Sequence, residues 1–335
     1  MLLSFAFRYP ANTQASRPVL LHSGDSALTC ASNRYEAHSF LRILFMGENY
    51  RKQWQQPVTL PVFRLSETSF RITELGGGQQ TKSLKLTDNA GKAWALRTID
   101  KDVSGAIPVW LQSSFAQKLK QDQISASMPY SSLLIGELAD ALGINAAKPT
   151  IYLVADDTAL GTYRQIFAHS VCMLEERDPH FATTVTTADV LRQVQHDNRF
   201  LIDQRLWLKA RLFDMLINDW DRHYDNWRWG LVDSAGLHFY KAIPRDRDWA
   251  FYCSDGLLPK LLRLTTDRFL INFSPQVKYV KSLNAKAYYM DAAFLNGLDA
   301  RDWEKSVVEL QSALTDEAIE RAVKKLPPAI FASLG

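Results

Sequence analysis

From Ile217 to Trp227 the chain reads Ile-Asn-Asp-Trp-Asp-Arg-His-Tyr-Asp-Asn-Trp, with three Asp, two Asn, an Arg and a His between two apolar ends. About 20 residues on comes a second charged run, Ile243-Pro244-Arg245-Asp246-Arg247-Asp248-Trp249-Ala250-Phe251, and five of the nine tryptophans fall between Trp207 and Trp249. Carboxylates among apolar walls are costly unless they are paired or hold a cation. The fold must therefore bring these runs to a metal or to arginines. Mg²⁺ takes hard oxygen ligands from one or two carboxylates and completes its shell with phosphate and water. Asp221, Asn226, Asp246 and Asp248 supply such atoms. The competing reading is a structural salt-bridge network with Arg222, Arg245 and Arg247.

The first run follows a helical pattern over 203–218, where Leu206, Ala210, Phe213 and Ile217 share one face. Further helices are expected at 302–314 and 316–326, with Thr315 as N-cap and Pro327-Pro328 as the stop. The first half reads differently. Gly76-Gly77-Gly78 precedes an alternating strand at 83–86, a turn at 88–91 and a second strand at 93–99. Helices are expected at 115–127 and 131–142, then a strand pair at 150–154 and 163–167, in a sheet of about four or five strands. The chain is thus expected to be α+β and two-lobed. Residues 1–60 form an N-terminal extension, 61–175 a β-rich N-lobe, and 176–335 a helical C-lobe, with a cleft near 170–180.

A net charge of +3 over 335 residues sets up no strong field, so no nucleic-acid partner is expected. Cys30, Cys172 and Cys253 are scattered and form no CxxC pair, which argues against a zinc knuckle or disulfide framework and suits a reducing compartment. No segment reaches the length of a membrane span. The chain reads as soluble, its compartment open between cytoplasm and envelope, and its abrupt start reads as a piece of something longer.

The Asp221–Asn226 interval equals that between the catalytic Asp and the metal-binding Asn of the kinase loop HRDxxxxN. Asp246, with Ala250 and Phe251 after it, matches D-x-x-x-A-F. On these motifs the chain resembles the atypical protein and lipid kinase-like superfamily: HipA-type toxin kinases, CotH-type spore-coat kinases, secretory-pathway kinases and type II phosphatidylinositol 4-kinases. It is most similar to a bacterial family with segments like GGGxQTKSLxL, DWDRHxDxW and PIPRDRDxAF, members of which are often joined to calcineurin-like phosphoesterases. That closer resemblance spans roughly residues 45–330.

The resemblance implies a protein-kinase-like fold that binds ATP with Mg²⁺ or Mn²⁺ and phosphorylates a protein or small-molecule hydroxyl. Asp221 would be the catalytic Asp, and His223 would hold it or meet phosphate. Asn226 and Asp246 would bind metal, with Asp248 beside them. Gly76, Gly77 and Gly78 would cover the phosphates, followed by Lys82, and adenine would lie against Met173–Glu175. Where kinases carry a strand lysine this chain has Arg97, with Lys101 as a substitute, and the partner acid on the next helix would be Asp122 or Glu137. Two other readings stand beside an active kinase: a pseudokinase or nucleotide-binding regulator, and a metal-dependent phosphoesterase or AMP transferase. The blander readings make His223 structural, the glycine run a flexible turn, Arg97 a strand-edge cation and the tryptophans core.

Overall fold

The computed structural model describes residues 21–334, apart from 24, 37–38, 78–79, 107–114, 266–267 and 278. The chain is mixed α+β, with a sheet lobe followed by a helical lobe. The first lobe is one eight-stranded sheet. Its strands are β1 (Leu21–Ser23), β2 (Ser26–Thr29), β3 (Val58–Phe63), β4 (Arg71–Gly76), β5 (Ser83–Thr87), β6 (Ala93–Thr98), β7 (Thr150–Val154) and β8 (Val171–Glu176), in the order β1-β2-β3-β7-β8-β6-β5-β4. Pairing is antiparallel except between β3 and β7. The sheet is wider than the four or five strands expected. Residues 21–60 do not stand apart as an extension: β1 and β2 form a hairpin on β3, and position 60 falls inside β3.

Side chains of successive strand residues alternate between faces. On β5, β6 and β8, Leu84, Leu86, Leu96, Cys172 and Leu174 therefore pack into one cluster with Phe63 and Phe167. The opposite alternation turns Arg97, Met173 and Glu175 to the other side, where the β6/β8 register sets Arg97 against Met173 and Ala95 against Glu175. The strand expected at 163–167 is absent. That segment is a 3-10 turn, Thr158–Tyr163, running into a short helix, Arg164–Phe167. Tyr163, Ile166 and Phe167 have helical spacing and pack together on the core. Asp157 caps the turn by accepting from the Ala159 N–H at 2.9 Å.

The second lobe is built around the helix Gln204–Leu216, capped by Asp203. Trp207 on this helix packs against Trp227 and Trp229, with ring centroids 4.3 and 5.3 Å away, and all three are buried. These tryptophans are core, as the blander reading has it. A four-stranded sheet, absent from the sequence reading, completes the lobe: β9 (Val185–Thr186), β10 (Phe200–Ile202), β11 (Trp227–Ser234) and β12 (Leu237–Pro244), in the order β10-β12-β11-β9. The C-terminal helices Ala300–Ala313 and Asp316–Val323 follow, with Thr315 accepting from the Ala318 N–H as N-cap. Among the described residues no helix is long and apolar enough to cross a membrane.

Candidate functional site

Strands β11 and β12 explain how the two charged runs meet. They form a hairpin through Ala235-Gly236, both at left-handed φ (51° and 79°), the twist a two-residue turn needs. Their register runs from Ser234–Leu237 at the tip to Trp227–Pro244 at the base. The residues just outside the base, Asn226 and Arg245, are thereby neighbours, and the Arg245 N–H donates to the Asn226 carbonyl at 2.9 Å. The first run enters this base from the 204–216 helix and the second leaves it. Asn218, Asp246 and Phe251 hold left-handed φ of 56°, 53° and 58°. Such conformations are costly for side-chain-bearing residues and cluster at functional sites. The Phe251 N–H donates to the Ile217 carbonyl at 2.7 Å and closes the loops together.

Beneath the loops lies a buried hub. Asp214, on the 204–216 helix and fully enclosed, meets Arg211 at 2.9 Å, Arg222 at 3.1 Å and Arg247 at 2.9 Å. Burial alone would raise its carboxyl, but the three guanidiniums outweigh that and lower it. Arg222 also donates to the Arg245 carbonyl at 2.6 Å, which ties the first run to the second. Arg245 itself pairs with Asp178 at 2.7 Å. The arginines of the charged runs are thus engaged with Asp214 and Asp178, while the carboxylates of Asp221 and Asp246 find partners elsewhere.

Asp246 meets the guanidinium of Arg97 from the sheet lobe. Arg97 also lies 3.3 Å from Asp248 and 3.6 Å from Glu175. Lys101 reaches Asp248 at 3.2 Å, with its ammonium 4.6 Å over the Trp249 ring. Burial acts against charge at Arg97, Glu175 and Asp248. At Asp248, Lys101 and then Arg97 overcome burial and hold the carboxyl at about 2. At Glu175 burial wins over Arg97 and the carboxyl is raised. Arg97 stays charged because Asp246, Asp248 and Glu175 outweigh its desolvation. Two recesses, of about 60 and 30 Å³, flank this cluster, and Arg97, Met173 and Asp248 line both. Arg97, Met173 and Asp248 thus stand between the two recesses.

The other expected residues are distributed as follows. Gly76 ends β4, and Gly77 has φ of 118°, where a Cβ would lie 2.3 Å from the Thr81 carbonyl oxygen, so only glycine fits. Gly78 lies outside the described residues. The far side of this loop is pinned to the strand that carries Arg97, with the Thr98 N–H donating to the Lys82 carbonyl at 3.0 Å. Lys82 is exposed, and its charge acts on Asp102. Met173 and Glu175 line the cleft. Asn226 is buried, and its side-chain amide donates to the Asp221 carbonyl. His223 is partly exposed, its nearest carboxylate Asp225 at 3.9 Å. Asp221 bonds Lys286 at 2.6 Å, a residue the sequence reading did not single out.

Neither Asp122 nor Glu137 partners Arg97. Asp122 is buried against Arg42 and Arg51, and Glu137 pairs with Lys325 at 3.4 Å. Among the described residues no group of three His, Cys, Asp or Glu side chains is arranged to hold a metal. The carboxylate pair Asp246/Asp248 nevertheless attracts two cationic side chains. Such a hard-oxygen pair suffices for Mg²⁺, which completes its shell with phosphate and water.

Asp219 adds a pH dependence. It is buried, its Oδ2 has no hydrogen-bond partner among the described residues, and Arg222 is 3.6 Å away. Burial, with Asp214 nearby, outweighs Arg222 and pushes its carboxyl up to about 7 from an ordinary 3.8. A raised acid binds its proton more tightly folded than unfolded, so its contribution to stability is lost as pH rises from about 4 to about 7. Denaturant melts over this range should show that decline in the wild type and a flatter profile in Asp219→Asn.

No protein-family model matches the chain, and no curated protein matches it. Among solved structures it is similar to the proinflammatory kinase CtkA of Helicobacter pylori, at 11% identity and TM-score 0.44, over 82% of this chain and 91% of that one. It is similar also to a Rio2 kinase–ADP/Mg²⁺–phosphoaspartate complex from Chaetomium thermophilum, at 14% identity and TM-score 0.29 over 73% and 72% of the two chains. A MAP kinase of Leishmania major, LmaMPK10, gives 13% identity and TM-score 0.29 over 81% and 85%.

Proposed function

We propose that this chain is an ATP- and Mg²⁺-dependent phosphotransferase of the kinase-like kind, acting on a hydroxyl acceptor. The observation that carries the reading is the meeting of Arg97 with Asp246, Asp248 and Glu175 at the back of the inter-lobe cleft. Arg97 stands on the third strand after the start of the glycine loop's hairpin, the place of the phosphate-binding lysine in kinases. Asp246 and Asp248, which meet it, come from the loop after β12, later in the chain than the Asp221–Asn226 segment, the order in which kinases present their metal-binding Asp.

Asp246 and Asp248, with Asn226 beside them, would hold Mg²⁺, which when bound neutralises charge on the triphosphate. Arg97 grips phosphate oxygens through its planar fork, a geometry lysine lacks. Gly77 lets backbone N–H groups come close to phosphate. Met173 offers an apolar surface to the base. Asp221 takes the acceptor's proton. Positioning and fixed charge then do most of the catalysis.

The two recesses, of about 60 and 30 Å³, have room for a few waters, whereas ligand sites span roughly 300 Å³ or more. Nucleotide binding therefore requires Arg97 to leave Asp246 for the phosphates. Phosphate contacts from an arginine contribute about 1.5–3 kcal/mol, so Arg97→Met should weaken Mg·ATP binding about 10- to 100-fold by calorimetry. Unchanged affinity would count against the phosphate role. The test of the function itself is transfer of γ-phosphate from ATP, or ATP turnover, by the wild type with Mg²⁺ present. A chain that binds Mg·ATP yet shows no turnover would be a nucleotide-binding regulator. Among the described residues no helix-borne acid pairs with Arg97, which favours that second reading.

A further inference from the structure

The carboxylate of Asp221 is held by a lysine from a distant part of the chain. Lys286 lies 65 residues on, and its Nζ sits 2.6 Å from Asp221 Oδ1. The ammonium also stands 4.6 Å from the centroid of the Trp220 ring and 4.9 Å from that of Phe269. These rings pack on each other at 4.8 Å, so the ammonium has an aromatic seat as well as a carboxylate.

The turn that carries Lys286 is anchored to the helix that launches the Asp221 loop. Arg211, on that helix, donates to Asn284 Oδ1 at 2.5 Å and to Asp291 Oδ1 at 3.0 Å, and the Trp207 indole N–H donates to Asp291 as well. Leu283 is buried in one cluster with Trp220 and Tyr252. The pair itself is partly exposed, with side-chain exposures of 34% for Lys286 and 21% for Asp221. Such pairs add little to stability. Its anchoring is therefore better explained by orientation of Asp221 than by holding the fold.

We infer that Lys286 is a positioning residue for phosphoryl transfer, an inference that rests on the phosphotransferase reading above. By donating to Oδ1 it fixes the carboxylate and leaves Oδ2 as the base. The acceptor hydroxyl gives its proton to Oδ2 as its oxygen lone pair forms a bond to the γ-phosphorus. The bond from that phosphorus to the β–γ bridging oxygen breaks, and its electron pair leaves with ADP. Lys286 keeps its own protons throughout. Its charge stands beside the carboxylate while the proton moves.

The test measures ADP release from Mg·ATP by the wild type, Lys286→Met, Lys286→Arg, Asp221→Asn and the double variant Asp221→Asn/Lys286→Met. Lys286→Met should lower kcat about 100-fold, at the lower end of the range for general-base catalysis, with KM for ATP within about twofold of wild type. Lys286→Arg should recover much of the loss. The double variant should be no slower than Asp221→Asn alone, because residues acting as a unit are not additive. Wild-type kcat in Lys286→Met, or independent losses in the double variant, would overturn the inference while leaving the phosphotransferase reading intact. Absence of turnover in the wild type would overturn both. Equal melting temperatures across the set separate positioning from damage to the fold, and the arginine variant keeps the charge should the methionine variant fold poorly.

Discussion

Asp221→Asn is expected to bind Mg·ATP like the wild type and to lose γ-phosphate transfer by about 10²- to 10⁴-fold, the range that a positioned general base contributes. The two halves of that result have separate structural grounds. In the proposed reading nucleotide binding draws on Arg97, Asp246 and Asp248, whereas the carboxylate of Asp221 is paired with Lys286. The substitution keeps shape and a hydrogen-bonding oxygen for Lys286, and it removes only the capacity to take a proton. Calorimetry with Mg·ATP and a transfer assay on the same preparation check both halves. Equal turnover in wild type and Asp221→Asn would remove Asp221 from the chemistry.

The largest stability effect is expected at Asp214. Three guanidiniums converge on one enclosed carboxylate. Removing one partner of a buried ionic cluster costs about 3–5 kcal/mol, because the remaining charges stay desolvated and uncompensated. Total stabilities of domains are about 5–15 kcal/mol, so Asp214→Ala should unfold at a much lower denaturant midpoint. Arg211 keeps Asp291 and Arg222 keeps Asp219, which limits the loss. Because the folded-state carboxyl is depressed below 3.8, its stabilisation is present at neutral pH and lost as pH falls below about 4. Asp214→Ala should accordingly narrow its gap to the wild type in acid. A midpoint within error of wild type at pH 7 would show that the cluster contributes little.

Features written in contiguous residues were legible in the sequence. The 204–216 helix shows in its apolar spacing, expected over 203–218, and the capping Thr315 is a local signal; that Asp203 is the cap emerges only in the structure. The charged runs and their tryptophan walls stand out by composition. Their convergence is encoded in one hairpin, for which the Ala235-Gly236 turn is the local signal and the pairing of the arms the long-range one.

Long-range pairings were not legible. Lys286 reaches Asp221 across 65 residues with no motif around it. Asp214 is one polar position on a helix, and its partners Arg222 and Arg247 reach it from two loops. Asp122 and Glu137 suited the role of acid for Arg97 by position, yet Arg42 and Arg51 claim the first and Lys325 the second. Strands β1 and β2 have three and four residues, too few for alternation to show, and it is pairing, β1 on β2 and β2 on β3, that makes them strands.

The β11–β12 hairpin has a practical consequence at its far end. Each arm has eight residues, so at about 3.3 Å per residue the tip stands roughly 25 Å from the base. Residues 233–236 there are exposed. A fluorophore or short affinity peptide grafted at this bend would sit a full arm's length from the two charged loops at the hairpin's base, a handle for capturing the molecule that leaves those loops untouched.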